Sequence, residues 1–275
     1  MLRDITLGLV VTAGAVLTAA PSIPWGTPAH VRYIDDHAVT AALADGRTLL
    51  EEPGFRITIA RRRASSPAGM SDTTNQILLI KEGGATLITG GTLEGAIIRD
   101  GQTRRVNAGD LLVIPARTPY WWKETTTSVA YLAVERETPP SGKTWGLPDV
   151  VQHITAERVH HRMSEPGGPA DPILIDPGVV FYAQRKFKDD EAEIHPNHSH
   201  VFLLVDGTAS FLTGEHGAAI EDGKPVGRSA LHQVAAGGIM IVPSKTPHQW
   251  VSISGNSFGP KEAIGYIAVN MDDPR

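Results

Sequence analysis

Short apolar runs separated by glycine-rich turns dominate the hydrophobic pattern of this chain. Residues 76–80 and 201–205 are two such runs, each of strand length and each followed closely by glycine. No long stretch has the convincing spacing of an amphipathic helix. Short strands joined by tight turns are typical of a sandwich or a barrel, so the pattern predicts an all-β fold.

The same pattern of strands and turns occurs twice along the chain. The matching pairs are GGATLITG at 83–90 with GTASFLTG at 207–214, VNAGDLLVIPARTPY at 106–120 with VAAGGIMIVPSKTPH at 234–248, and YLAV at 131–134 with YIAV at 266–269. The first pair is shifted by 124 positions and the second by 128. Ordered blocks at nearly equal shifts predict two tandem copies of one β-barrel unit.

The N-terminus predicts export. Residues 5–20 are apolar or small throughout and follow Arg3, and the stretch is too short to span a membrane comfortably. We therefore expect a signal peptide that ends after Ser22 or Ala29, and a mature chain that is periplasmic or secreted. An uncleaved membrane anchor and a buried core segment stay open, because Asp4 weakens the positive start that export favours.

These features divide the chain into four parts. The predicted bounds are 1–29 for the signal peptide and leader, 30–137 for the N-terminal barrel, 138–174 for a linker and 175–275 for the C-terminal barrel. The proline and glycine residues of the 135–148 segment suit a connection that cannot continue a strand ladder.

Composition limits the classes of partner and metal ligand that this chain is expected to have. A formal charge of −5 without a long basic run indicates neither a nucleic-acid partner nor a membrane partner for the mature chain, so a small molecule is the expected ligand. The absence of cysteine excludes disulfides, thiolate metal sites and a cysteine nucleophile, which leaves histidine and carboxylate as metal ligands. A homodimer paired through an exposed sheet is a further expectation.

Four residues of the second copy have the chemistry of a metal site. If residues 191–195 are extended, Glu193 and His195 lie on the same face. His200 begins an apolar run, and His248 begins another predicted strand. Three imidazoles and one carboxylate suit one divalent transition-metal ion, namely Mn, Fe, Ni or Zn, and leave coordination positions open for water or substrate.

At these residues the chain resembles the cupin superfamily, and over residues 30–137 and 175–271 it is similar to a bicupin. Gly237, Pro243 and His248 match the cupin motif G-x5-P-x-G-x2-H, with Lys245 where glycine is usual. The resemblance implies two tandem cupin barrels of the double-stranded β-helix or jelly-roll type.

The other cupin motif departs from the usual order. Counting back from Gly207 puts His200 where glutamate is usual, while Glu193 and His195 take the two histidine positions. His198 is an alternative or auxiliary ligand, although His195 fits the distance to the terminal glycine better. The corresponding residues of the first copy are Gly69, Ser71, Gln76 and Tyr120, which predicts a degenerate, metal-free barrel.

The resemblance favours a metal-dependent enzyme, of dioxygenase type, in which Glu193 is both ligand and proton acceptor. Arg185 and Trp250 are candidate substrate contacts, and Lys186 is expected to be solvated. Cupins also include isomerases, lyases, hydrolases and decarboxylases, so redox-neutral chemistry stays open. The alternative is a non-catalytic metal-containing protein that binds or senses a small molecule.

Overall fold

The computed structural model describes residues 25–140, 150–164, 172–176, 178–254 and 263–274. In these ranges the chain consists largely of β-strands with two short helices, arranged as two tandem jelly-roll barrels. The predicted all-β fold is confirmed. Most of the expected export signal lies outside the described residues, and no helix within them is long and apolar enough to cross a membrane.

The N-terminal barrel is organised around two long strands. The elements of this half, in chain order, are β1 (Arg32–Ile34), α1 (Asp36–Asp45), β2 (Arg47–Glu52), β3 (Phe55–Arg62), β4 (Thr74–Thr89), β5 (Thr92–Glu94), β6 (Ile97–Arg99), β7 (Gln102–Asn107), β8 (Leu111–Ile114) and β9 (Tyr120–Glu137). Strands β4 and β9 pair along their whole length, from Thr74 opposite Glu137 to Thr89 opposite Tyr120. Each therefore runs through both sheets of the barrel.

The C-terminal barrel has the same plan, with its long strands interrupted. The remaining elements are β10 (Gln152–Ile154), α2 (Ala156–Ser164), β11 (Leu174–Asp176), β12 (Val179–Lys186), β13 (His198–Asp206), β14 (Thr208–Gly214), β15 (Ile220–Glu221), β16 (Lys224–Pro225), β17 (Ser229–Ala235), β18 (Ile239–Val242), β19 (His248–Ser254) and β20 (Ile264–Asp272). The large sheet has the order β1-β18-β13-β20-β12-β11, and the small sheet has the order β17-β14-β19.

The two barrels exchange edge strands. Strand β1, which precedes the N-terminal barrel, pairs with β18 of the C-terminal barrel, and β10 pairs with β8 of the N-terminal barrel. The segment that sequence analysis assigned to a linker, 138–174, thus contains a strand and a helix. The strand β10 has three residues, which is too short to show an alternating pattern, so it could not be predicted from periodicity. The predicted domain bounds stay a prediction.

One pair of equivalent backbone amides has a different acceptor in each barrel, and in the C-terminal barrel the acceptor belongs to an exchanged strand. In the N-terminal barrel the N–H of Asn107 donates to Oδ2 of Asp110 at 3.0 Å. The equivalent N–H of Ala235 donates to the Tyr33 hydroxyl of β1 at 3.1 Å. Gly238 occupies the position equivalent to Asp110, and a Cβ there would come within 2.7 Å of the Tyr33 hydroxyl. The small residue therefore makes room for Tyr33.

Alternate residues of the large sheets serve two different cores. Val201 and Leu203 of β13 belong to an apolar cluster shared by both barrels, which also contains side chains of α1 and α2. Phe202 and Leu204 point the opposite way, into the interior of the C-terminal barrel. His200 has the same parity as Phe202, so it also faces this interior.

Tyr33 is expected to stabilise the C-terminal barrel from outside its own sequence range. Tyr33→Ala should lower the free energy of unfolding by about 2 kcal/mol, because it removes a packed ring and the acceptor for Ala235. Tyr33→Phe should cost less than about 1 kcal/mol, since it keeps the ring. Urea unfolding measures both. Ile175→Ala, at a 71% exposed edge position, is the control, and an equal loss in this control would contradict the assignment.

Candidate metal centre

The four predicted ligands meet where an extended segment crosses the start of β19. Glu193 and His248 form an isolated antiparallel bridge, in which the N–H of each donates to the carbonyl of the other at 2.9 Å. Two residues on, the carbonyl of His195 accepts from the N–H of Lys245 at 2.7 Å. The segment thus lies extended against the barrel wall and directs two ligand side chains towards the mouth, where His200 lies at the start of β13.

The side chains are close enough to share one ion. Nε2 of His195 lies 3.5 Å from Oε2 of Glu193, and Nε2 of His248 lies 3.3 Å from Oε1 of the same carboxylate. The ring of His200 has its centroid 4.7 Å from that of His195 and 4.9 Å from that of His248. The structure therefore brings all four predicted residues together.

His198 also lies in this cluster. Its ring stacks on His195 at a centroid distance of 4.3 Å and meets His200 edge-on at 4.9 Å. Two overlapping groups each have donor atoms within 4.8 Å of one another: His195 with His198 and His200, and His195 with Glu193 and His248. His195 is common to both, so the structure offers a fifth ligand beyond the four of the predicted set.

The two most buried imidazoles are oriented as metal ligands. His248 is 1% exposed and its Nδ1 donates to the carbonyl of Thr246 at 2.9 Å, while His200 is 4% exposed and its Nδ1 donates to Oδ1 of Asn270 at 2.7 Å. Each Nε2 then carries a lone pair directed into the cluster. Neither Nε2 has a hydrogen-bond partner among the described residues. A hydrogen bond at the far nitrogen is the usual support of a metal-ligating histidine.

The charge states also suit a cation. Burial lowers the pKa of His200 well below its ordinary value, and burial together with the nearby His195 lowers the pKa of His198 to about 4. Both rings are therefore neutral at neutral pH, as metal coordination requires. Burial raises the pKa of Glu193, but its interactions with His195 and His248 lower it more. The carboxylate is ionised.

A positive centre is needed between Glu193 and His248. Nδ1 of His248 donates to the Thr246 carbonyl, so its Nε2 faces a carboxylate oxygen of Glu193 at 3.3 Å. Two facing lone pairs repel unless a proton or a metal ion lies between them. The residues present, imidazoles and one carboxylate without any thiolate, fit a divalent transition metal.

Aromatic rings form the floor beneath the cluster. His200 stacks on Phe202 at a centroid distance of 5.1 Å, and His248 stacks on Phe211 at 5.8 Å. Below them Trp250 and Tyr266 fill the barrel interior. Stacking on one side and Nδ1 hydrogen bonds on the other thus hold both imidazoles in place. Binding of an ion would therefore require little further ordering of these side chains.

Comparisons with known proteins agree with this architecture. A cupin 2 conserved barrel domain protein from Leptotrichia buccalis superposes with a TM-score of 0.54 at 13% identity, covering 90% of this chain and 100% of that one. A salicylate 1,2-dioxygenase from Pseudaminobacter salicylatoxidans gives 0.60 at 12% identity, covering 92% and 87%. The fold is that of the cupins. No protein-family model and no curated protein matches the chain, and these identities establish the fold alone.

The cupin fold explains a positive-φ position in each barrel. Lys245 has φ +59° where the cupin motif usually has glycine, and the equivalent Arg117 has φ +61°. Both backbones thus adopt the left-handed turn that glycine would favour. Glu193 opposite His248 also has its counterpart in Gly69 opposite Tyr120. At these positions the side chains depart from the motif, but the backbone conformation is the same in both barrels.

The N-terminal cupin barrel replaces ligands by other polar contacts. At the position of His200, Gln76 donates through Nε2 to Oε1 of Glu135 at 3.0 Å, and Glu135 is the counterpart of Asn270. Within the described residues, both groups able to hold a metal lie in the C-terminal barrel. The expectation of a metal-free N-terminal barrel stays a prediction.

The two predicted substrate contacts lie away from the ligand cluster. Arg185 is on the face of β12 that Phe181 and Ala183 direct into the inter-barrel core, and its Nη2 lies 3.4 Å from Oδ2 of Asp206. Lys186, expected to be solvated, is on the opposite face, where it forms an ion pair with Asp190. Side chains alternate between the two faces of a strand, so these neighbours point in opposite directions. The sequence alone did not show which face of β12 meets the other barrel.

Trp250 is part of the barrel core. It is 1% exposed and stacks on Tyr266 with centroids 5.0 Å apart. The N-terminal barrel has the same pair, Trp122 stacked on Tyr131 at 4.9 Å, where no ligand cluster exists among the described residues. The pair therefore belongs to the architecture of both barrels. Substrate roles for Arg185 and Trp250 stay predictions that these positions do not favour.

Lys186 is a functional candidate that sequence analysis considered and expected instead to be solvated. Burial lowers the pKa of its amine, and the negative charge of Glu193 partly restores it, so the amine lies within electrostatic reach of the ligand carboxylate. Alternation along β12 from Tyr182, which packs on the barrel interior, was the available signal.

Metal content should depend on the ligand cluster of the C-terminal barrel and not on the N-terminal barrel. Elemental analysis of the purified protein is expected to give about one ion per chain. His200→Ala and His248→Ala should each lose most of it, because each removes an Nε2 donor whose orientation is fixed.

The controls are Tyr120→Phe, at the equivalent position of the N-terminal barrel, and His216→Ala, at an exposed position. Both should keep the ion. His198→Ala tests the fifth ligand: unchanged affinity would exclude His198 from the coordination sphere. Two tightly bound ions per chain would contradict the asymmetry between the barrels.

Proposed function

We propose that this chain is a metal-dependent bicupin enzyme with a single transition-metal site in its C-terminal barrel, acting on a small molecule. One observation carries the proposal: the buried Nε2 atoms of His200 and His248, which have no hydrogen-bond partner among the described residues, converge with an ionised carboxylate at the mouth of a cupin barrel. The duplication of the barrel, proposed from the repeated blocks, is supported by equal strand registers. Gln76 lies opposite Ile114, as His200 lies opposite Val242.

The ligands would be His195, His200, His248 and Glu193, with His198 in reach of the same ion. Mn, Fe, Ni and Zn all accept this set of nitrogen and oxygen donors. When bound, such an ion supplies Lewis acidity and activates water or dioxygen. A ligand set that leaves positions open is typical of catalytic sites, whereas structural sites are closed.

Glu193 is the proposed proton acceptor. Its side chain is 47% exposed while His248 beside it is buried, so the carboxylate borders on the space that a substrate would enter. The low pKa of Glu193 keeps it ionised at neutral pH, which is the state in which a carboxylate can accept a proton. The amine of Lys186, paired with Asp190, adds a positive charge on the same side. An anionic or enolic small molecule suits this combination.

The proposed reaction class is oxidation of dioxygenase type. The support comes from the fold neighbours, since a salicylate 1,2-dioxygenase of Pseudaminobacter salicylatoxidans has this fold and a variant of it has been solved with gentisate. A redox-neutral isomerase, lyase or hydrolase would use the same open site without consuming oxygen.

A second candidate function is non-catalytic binding or sensing of a small molecule. The observation that favours it is the filled interior: Phe202, Phe211, Trp250 and Tyr266 pack directly beneath the histidines. In this alternative the ion would anchor a ligand at the mouth of the barrel, and no conversion would follow.

Glu193→Gln should separate the two functions. The amide keeps an oxygen donor but is a far poorer proton acceptor, so turnover should fall by about 100-fold or more while metal occupancy falls much less. Oxygen uptake is measured during a screen of phenolic, enol and keto-acid compounds. His216→Ala should leave the rate unchanged. If the metal-loaded protein binds such compounds without converting any, in air or under nitrogen, the sensing function is the better account.

We also propose that the protein is exported and that the mature chain is periplasmic or secreted. Cleavage after Ser22 would keep β1 and the buried Gly26, whose carbonyl accepts from Nε of Arg136. Cleavage after Ala29 would keep β1 but would remove Gly26 and the buried Thr27. Intact-mass spectrometry of protein from a bacterial host should show one of these two N-termini. Full-length protein recovered from the cytosol would refute export.

A further inference from the structure

A cavity lies between the two barrels, away from the metal centre. It has a volume of about 530 Å³ and is formed by both barrels and α2. Its walls are largely aliphatic, with Leu79 from β4, Ile267 from β20 and Val159 from α2. Cavities of this size and composition are those in which proteins bind small molecules.

Two matching β-bulges face this cavity. The pairing of β4 shifts register between Ile80 and Glu82, which leaves Lys81 as the extra residue. The pairing of β13 shifts in the same way between Leu204 and Asp206, which leaves Val205. Both extra residues line the cavity. Bulges re-aim side chains, and here they place one amine and one valine at a common opening.

The charge of Lys81 lacks a close partner within the described part of the chain. Its neighbour Glu82 is engaged in an ion pair with Arg61. Burial lowers the pKa of the Lys81 amine, and the negative charge of Glu82 partly restores it. An amine held at the edge of an aliphatic cavity is complementary to an anion that carries an apolar chain.

We propose that the inter-barrel cavity binds a small amphipathic anion, a medium-chain carboxylate, with Lys81 as its charged anchor. The aliphatic walls would take up the chain, and the amine would pair with the carboxylate at the opening. This site is independent of the proposed function of the metal centre. It adds a ligand class that the metal centre does not require.

Isothermal titration calorimetry of the full chain with decanoate tests the proposal. One decanoate should bind per chain. Lys81→Met should weaken this binding by about tenfold, because a charge-assisted contact is lost while the aliphatic stem is kept. Binding of 1-decanol, which lacks the charge, should change by less than about twofold in the same variant. Lys224→Met, at an exposed position, is the matched control.

Val205→Trp provides a second test that leaves the buried cores untouched. Val205 is 46% exposed, so a larger side chain there should fill the opening and abolish binding of both probes. The His248→Ala variant, deficient in metal, should bind decanoate like the parent, which separates this site from the metal centre. Equal binding by Lys81→Met or by Val205→Trp would overturn the proposal. Absence of binding to the full chain would overturn it too.

Discussion

The packing of one large sheet against the other fixes the direction in which His200 points. Because side chains alternate along a strand, burying Val201 and Leu203 between the barrels forces His200, Phe202 and Leu204 into the interior of the C-terminal barrel. A slip of one residue would bury the metal ligand in the inter-barrel core. The same apolar contact thus holds the barrels together and fixes the direction of the imidazole. The exchanged strands β1 and β10 extend these two sheets, so each barrel also depends on chain from outside its own sequence range.

The two barrels show how a common frame can carry different chemistry. Both have the stacked Trp–Tyr pair and a left-handed residue in the turn before the last barrel strands. The ligand positions differ: Gln76 bonded to Glu135 replaces His200 bonded to Asn270. Since the frame persists without the ligands, its stability comes from apolar packing rather than from a metal. A metal in the C-terminal barrel would then be free to serve chemistry.

Sequence analysis predicted the strands, the fold and the residues of the cluster, because these follow from local periodicity and from repeated motifs. It could not predict the exchange of β1 and β10, since pairing between edges distant in sequence leaves no local pattern. Sequence analysis favoured Arg185 over Lys186 for the site. The choice depends on which face of β12 meets the other barrel, and this contact is not visible in the sequence. His198 was recognised as an alternative, and the structure places it within the cluster because the loop after His195 returns into β13 with the parity of His200.

The permuted order of the ligands has an electrostatic consequence. The buried position at the start of β13, where the common motif has glutamate, holds His200, which is neutral and 4% exposed. The carboxylate lies instead at Glu193, on the extended segment, with 47% of its side chain exposed. Burying an imidazole costs far less than burying a carboxylate, which must be paired to remain charged. The permutation therefore moves the anion, and with it the proposed proton acceptor, from the closed interior to the mouth of the barrel, where water and a small molecule can reach it.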